Sequence, residues 1–170
     1  MHIKNKIVIG TAQFGLNYGI TNYKGKPSNL EIKKIFKFCK KNKLIHFDTA
    51  NAYGSSEKIL GNQFKENYKV KFYTKLPVKL NKNISYKSME KIVFRSLKTL
   101  NKNSIECLSF HRMDHLLKNK NKWLDFLNNL RNNKIIKKFG VSIQNEKEFF
   151  NFLDIPSLDY IQLPYNLIDP

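Results

Sequence analysis

Short apolar runs alternate along this chain with longer amphipathic stretches, at a spacing of about 30 residues, the length of one strand, crossover and strand unit. No other feature limits the fold as strongly. Ile7-Val8-Ile9-Gly10 is the first apolar run, and Ser28 with Glu31 then has the spacing of a capping box that opens a helix. Ile32, Ile35, Phe36 and Cys39 recur on one helical face, with Lys33, Lys34, Lys37, Lys40 and Lys41 mostly opposite. Leu44 to Asp48 reads as a second strand, Ile59, Leu60 and Phe64 as a short helix, and Val70 to Leu76 as a third strand. Tyr86, Met89, Val93, Leu97 and Leu100 mark a helix before a strand from Ile105 to Phe110. Trp123, Phe126, Leu127 and Leu130 mark the next helix and Phe139 to Ile143 a fifth strand. Phe149, Phe150 and Leu153 then predict a helix and Tyr160 to Leu163 a sixth strand.

Strict alternation implies parallel strands joined by right-handed crossovers. The expected class is therefore α/β, as a (β/α)8 barrel or an open doubly wound sheet. Gly10-Thr11-Ala12-Gln13-Phe14-Gly15 lacks the GxGxxG spacing, and no helical pattern starts directly after it, which favours the barrel. Barrels of this type take about 250 residues. The 170 residues here hold six of the eight units, read as one partial-barrel domain over residues 1–170. A barrel left open exposes two sheet edges, so self-association through them is expected.

Composition removes other classes. With 41% hydrophobic residues, 7 Gly and 5 Pro, the chain is neither collagen-like nor disordered. Its only cysteines, Cys39 and Cys107, fall in a helical and a strand pattern, which excludes a disulfide framework and predicts a reducing, cytoplasmic setting. No apolar run reaches the roughly 18 residues of a membrane span, and no secretory leader is legible. The net charge of +18 raises nucleic acid as a partner. However, the cations are nearly all Lys, with Arg only at 95, 112 and 131, and they sit on the polar faces of amphipathic segments along the whole chain. Nucleic-acid readers concentrate Arg forks and exposed aromatics, so no nucleic-acid partner is expected.

In parallel α/β folds the C-terminal strand ends share one rim, where sites form. The second strand ends at Asp48 and leads to Tyr53, the third ends at Lys75, and the fourth leads to His111. A Lys cation beside a phenol favours proton release, a carboxylate holds that cation in place, and an imidazole can hydrogen-bond a substrate oxygen. Such a set can protonate an alkoxide forming from a carbonyl. No side chain donates hydride, so a nicotinamide cofactor is required. His46, in register with Asp48, reads as an interior histidine. His115 follows His111 at a metal-ligand spacing but lacks Cys or Glu partners, so no metal is expected. Phe149, Phe150, Phe152 and Leu153 are expected to be core.

Gly10-Thr11-Ala12-Gln13-Phe14-Gly15, Phe47-Asp48-Thr49-Ala50 with Tyr53-Gly54 and Ser56-Glu57, Thr74-Lys75, His111, Gly140-Val141-Ser142 and Gln162-Leu163-Pro164-Tyr165-Asn166 together resemble the aldo/keto reductase family, in order and over nearly the whole chain. The resemblance implies an oxidoreductase of the (β/α)8 type that uses NADP(H), with NAD(H) as the alternative, to reduce an aldehyde, ketone or sugar carbonyl. It implies Tyr53 as general acid, Asp48 and Lys75 as the pair that tunes it, and His111 as the group that orients the carbonyl. Gly10, Thr11, Ser142 and Gln162 fall on the implied cofactor side. Ile143 stands where many members carry Asn, and the seventh and eighth strands have no counterpart before Pro170. The alternative reading is an inactive relative or binding subunit that keeps the quartet without turnover.

Overall fold

Six strands lie side by side in the order in which the chain makes them. The computed structural model describes residues 6–65, 69–81 and 83–165. Along the chain come β1 (Ile9–Gly10), α1 (Ala12–Gly15), α2 (Asn29–Lys41), β2 (His46–Asp48), α3 (Ser56–Gln63), β3 (Lys71–Lys75) and α4 (Tyr86–Leu100). They are followed by β4 (Ile105–Phe110), α5 (Met113–Leu117), α6 (Lys120–Asn132), β5 (Ile136–Ser142), α7 (Glu146–Leu153) and β6 (Tyr160–Gln162). Every neighbouring pair is parallel, and the sheet order is β1-β2-β3-β4-β5-β6. A doubly wound sheet reverses its order at a switch point. This sheet does not, and it curls as part of a (β/α)8 barrel.

Local chemistry explains the helix starts. Ser28 and Glu31 form the capping box of α2, with Ser28 N–H donating to Glu31 Oε2 at 2.8 Å and Glu31 N–H to Ser28 Oγ at 3.3 Å. Ser85 and Asn145 accept main-chain hydrogen bonds in the same way at α4 and α7. The apolar stripes then turn toward the sheet. Ile32, Phe36 and Cys39 of α2 pack with Phe47, Leu60, Phe64 and Phe72, while Met89, Val93, Trp123, Phe126 and Leu130 pack with Leu108, Phe110, Phe139 and Val141. The core therefore lies between the sheet and its helices, and side-chain alternation sends the other residue of each strand pair into the curl.

Four details depart from the sequence reading. β1 starts at Ile9 rather than Ile7, and Ile7 and Val8 are exposed, because this edge strand has only β2 to pair with. One helical turn, α1, does follow β1 directly; Phe14 N–H donates to Thr11 O at 3.0 Å and the Phe14 ring anchors the turn in the core. β5 begins at Ile136, two exposed lysines ahead of Phe139. The expectation that Phe149, Phe150 and Leu153 are core is wrong: they are 37%, 57% and 56% exposed, and of that stripe Phe152 alone packs against the core. α7 precedes the last described strand, and no later helix follows among the described residues to cover it. Cys39 and Cys107 are both free and buried. Among the described residues no helix is long and apolar enough to cross a membrane.

Candidate active site

Asp48 ends β2, in register with Gly10 on one side and Tyr73 on the other, and Lys75 ends β3 opposite Ser109. The two side chains meet in an ion pair, with Lys75 Nζ 2.5 Å from Asp48 Oδ1. Lys75 is 3% exposed and also donates to Thr49 O at 3.2 Å. Burial pulls the ammonium below its ordinary value of 10.5, and the Asp48 carboxylate pulls it back up.

Tyr53 lies on the loop between β2 and α3. Lys75 Nζ sits 5.1 Å from the centre of its ring, and the His111 ring meets it edge-on at 5.9 Å and 86°. The structure thus brings all four rim residues together. It corrects the expected effect on the phenol, however. Burial, then the Asp48 carboxylate, then Tyr18 push Tyr53 up to about 12. The phenol keeps its proton more firmly than a free one. Burial and the nearby Lys75 cation hold His111 below 6.5, opposed in part by the Leu76 main chain and the Asp48 carboxylate. His111 is therefore a neutral imidazole at pH 7, and its buried Nδ1 has no hydrogen-bond partner.

Two glycines let the loops close around Tyr53. A Cβ on Gly15 would come within 1.7 Å of Tyr53 O, and Gly54 adopts φ +56, where a Cβ would meet Gly15 O at 2.6 Å. The loop after β1 and the loop carrying Tyr53 are interlocked at main-chain contact distance.

The remaining candidates fall in two groups. Ser142 and Gln162 are register partners at the same rim, and Ile143 N–H donates to Gln162 O at 2.9 Å. Gly10 faces open space, since a Cβ there would meet nothing within 4 Å. Thr11 is instead fully buried, and its hydroxyl donates to Asp48 O at 2.7 Å and lies 2.7 Å from Ser56 Oγ. Its hydroxyl is engaged inside the protein. Asn166 lies outside the described residues. His46 is interior, with Nδ1 3.0 Å from the Tyr73 hydroxyl. His115 sits on α5, and no group of three or more His, Cys, Asp or Glu side chains converges among the described residues.

The residues behind the site belong to the motif stretches that carry the family resemblance, but sequence reasoning gave them no role. Thr49, Ser56, Glu57 and Thr74 are buried polar side chains linked by hydrogen bonds. Beyond that motif, the signal for their burial is a polar pair, Ser56-Glu57, where the periodicity of a short helix calls for burial.

The sequence matches the family model described as the aldo/keto reductase family over residues 6–168. The chain belongs to the aldo/keto reductase family. No curated protein matches the chain. Among solved structures, a Pseudomonas aeruginosa protein assigned as an aldo-keto reductase aligns with TM-score 0.76 and 23% identity over 95% of this chain. An aldo-keto reductase from Bacillus halodurans, in its holo form, aligns with TM-score 0.74 and 16% identity over 94% of this chain. The glycerol dehydrogenase from Gluconobacter oxydans gives TM-score 0.67 and 24% identity over 95%. The aldo/keto reductase chain described here spans 63%, 53% and 51% of those three proteins.

Proposed function

We propose that this aldo/keto reductase family chain provides the catalytic rim of an NAD(P)H-dependent reductase of aldehyde, ketone or sugar carbonyls, with NADP(H) as the preferred nucleotide. The observation that carries this reading is the meeting of Tyr53, Lys75, Asp48 and His111 at one point of the sheet's C-terminal rim. Two buried free thiols fit a cytoplasmic setting.

The rim also suits a nicotinamide. Ser142 and Gln162 offer a hydroxyl and a carboxamide side by side, each able to donate and accept, which complements the ring's own carboxamide. Gly10 leaves the space beside Asp48 open. Ser142, Gln162 and Gly10 would hold the nucleotide, with Thr11 supporting from behind through Asp48. Bound there, the reduced nicotinamide supplies hydride to the carbonyl carbon.

This chain's own residues do the rest. His111, neutral and edge-on to the Tyr53 ring, donates a hydrogen bond through its one N–H to the carbonyl oxygen and orients it toward Tyr53. Tyr53 gives its hydroxyl proton to that oxygen as negative charge develops. Lys75, over the ring, stabilises the phenolate that results, and Asp48 keeps the ammonium charged and in place.

Cofactor titration tests the reading. NADPH is expected to quench the protein's fluorescence saturably, and carbonyl-dependent NADPH oxidation is expected to fall by about 10²- to 10⁴-fold in Tyr53→Phe. Absence of binding at millimolar nucleotide would replace it with the alternative, a protein that retains the quartet without turnover.

A further inference from the structure

The first two residues of α3 are polar yet almost fully buried: Ser56 is 0% exposed and Glu57 5%. They reach in different directions. Ser56 Oγ lies 2.7 Å from Thr11 Oγ1 and 3.0 Å from Thr49 Oγ1. Thr11 in turn donates to Asp48 O through both its hydroxyl and its N–H, at 2.7 and 3.0 Å, and Thr49 O accepts from Lys75 Nζ. Glu57 accepts from Thr74 Oγ1 at 2.7 Å through one carboxylate oxygen and from Ser96 Oγ of α4 at 3.2 Å through the other. Thr74 immediately precedes Lys75 on β3. Ser56 N–H also donates to Tyr53 O at 3.0 Å.

A carboxylate buried against neutral hydroxyls is an unfavourable way to join two helices and a strand. Apolar side chains of similar volume would pack there without desolvating a charge. What the polar pair adds is direction, since hydrogen bonds fix angles that apolar contacts leave loose.

We propose that Ser56 and Glu57 are positioning residues that set the approach of Lys75 to Asp48 from behind the sheet. Ser56 holds the loops on either side of the Asp48 main chain. Glu57 clamps Thr74, so that the last residue of β3 projects its ammonium into the curl at a fixed angle. One turn of helix thereby governs both members of the ion pair and the main chain of Tyr53. The inference rests on the reading that this pair serves Tyr53 in carbonyl reduction.

The test compares Ser56→Ala, Thr74→Val, Glu57→Ala and Glu57→Gln with the parent chain. Three readouts are used: NADPH-dependent carbonyl reduction, thermal unfolding, and the Lys75 titration midpoint followed by side-chain NMR. Ser56→Ala and Thr74→Val are expected to lower kcat about tenfold or more, with KM for NADPH within about twofold, because displacement of a reacting group by about 1 Å is enough for such losses. The Lys75 midpoint moves in the same variants. Glu57→Gln, whose amide still accepts from Thr74 and can donate to Ser96, restores most of what Glu57→Ala loses. Folded variants with kcat and Lys75 midpoint both unchanged would overturn the proposal and leave these residues a purely architectural role. Should Glu57→Ala fail to fold, Thr74→Val decides, since it removes one hydroxyl at nearly constant shape. If the parent chain shows no turnover, the reductase reading fails by itself, and an unchanged or shifted Lys75 midpoint still rejects or supports the positioning role.

Discussion

The two faces of one sheet follow different rules. On the side toward the helices, β4 offers Leu108 and Phe110, packed with Met89, Phe126 and Val141, whereas one residue away Cys107 and Ser109 face the curl and lie 3.8 Å apart through their Sγ and Oγ atoms. β3 divides likewise: Phe72 joins the core, while Tyr73 reaches His46 and Lys75 reaches Asp48. Away from the Glu57 contacts with Thr74 and Ser96, the helix side is held by area and volume, which many apolar side chains satisfy equally well. The curl is held by directional polar pairs, in which each partner is specified by the other.

The largest effect that would sharpen this contrast is chemical. Tyr53→Phe should reduce carbonyl turnover by about 10²- to 10⁴-fold, the usual contribution of a general acid, with the melting temperature nearly unchanged. A fall in stability as large as the fall in rate would break the division of labour between the faces.

Next comes the ion pair. Asp48→Asn strands the Lys75 ammonium at 3% exposure, with the Thr49 carbonyl as a remaining acceptor, and should cost about 3–5 kcal/mol at neutral pH in denaturant titration. The loss should shrink as pH rises, because a neutral amine tolerates burial. Phe126→Ala on the helix side should cost a similar 3–5 kcal/mol or so by opening a cavity, but without that pH dependence.

How far the sequence discloses the molecule follows the same divide. The helix side was legible because periodicity reports burial directly: Ile32, Phe36 and Cys39, or Trp123, Phe126 and Leu130, recur at helical spacing and pack as that spacing demands. The rim residues were legible only as an ordered motif, since Asp48 or Lys75 alone resembles any loop carboxylate or surface lysine. Thr49, Ser56, Glu57 and Thr74 were legible as parts of that motif, but their burial and their hydrogen bonds were not, because a buried hydroxyl leaves no periodic trace. Periodicity also misled at Phe149, Phe150 and Leu153, where an apolar stripe records what a face is suited to contact, not whether a neighbour is present.

A smaller effect is expected from acid. His46, His111 and His115 all lie below 6.5, each chiefly through burial, so the folded chain binds fewer protons than the unfolded one just below that pH. Their contribution to stability is present above pH 6.5 and is lost as pH falls from there through the folded values. Denaturant titrations between pH 7.5 and about 4.5 should show this decline, reduced in His111→Asn. The smallest effect is expected at Phe150→Ser, within about 0.5 kcal/mol, as for other exposed sites. A loss matching Phe126→Ala would mean that this stripe is covered in solution.

The order of the strands bears on how the chain is made. Each described strand pairs with the one synthesised just before it, so a nascent chain leaving the ribosome can add each β/α unit to an edge already standing. The ion pair between Lys75 and Asp48 is built entirely from the neighbouring strands β2 and β3, so it needs no contact from residues later in the chain than Lys75.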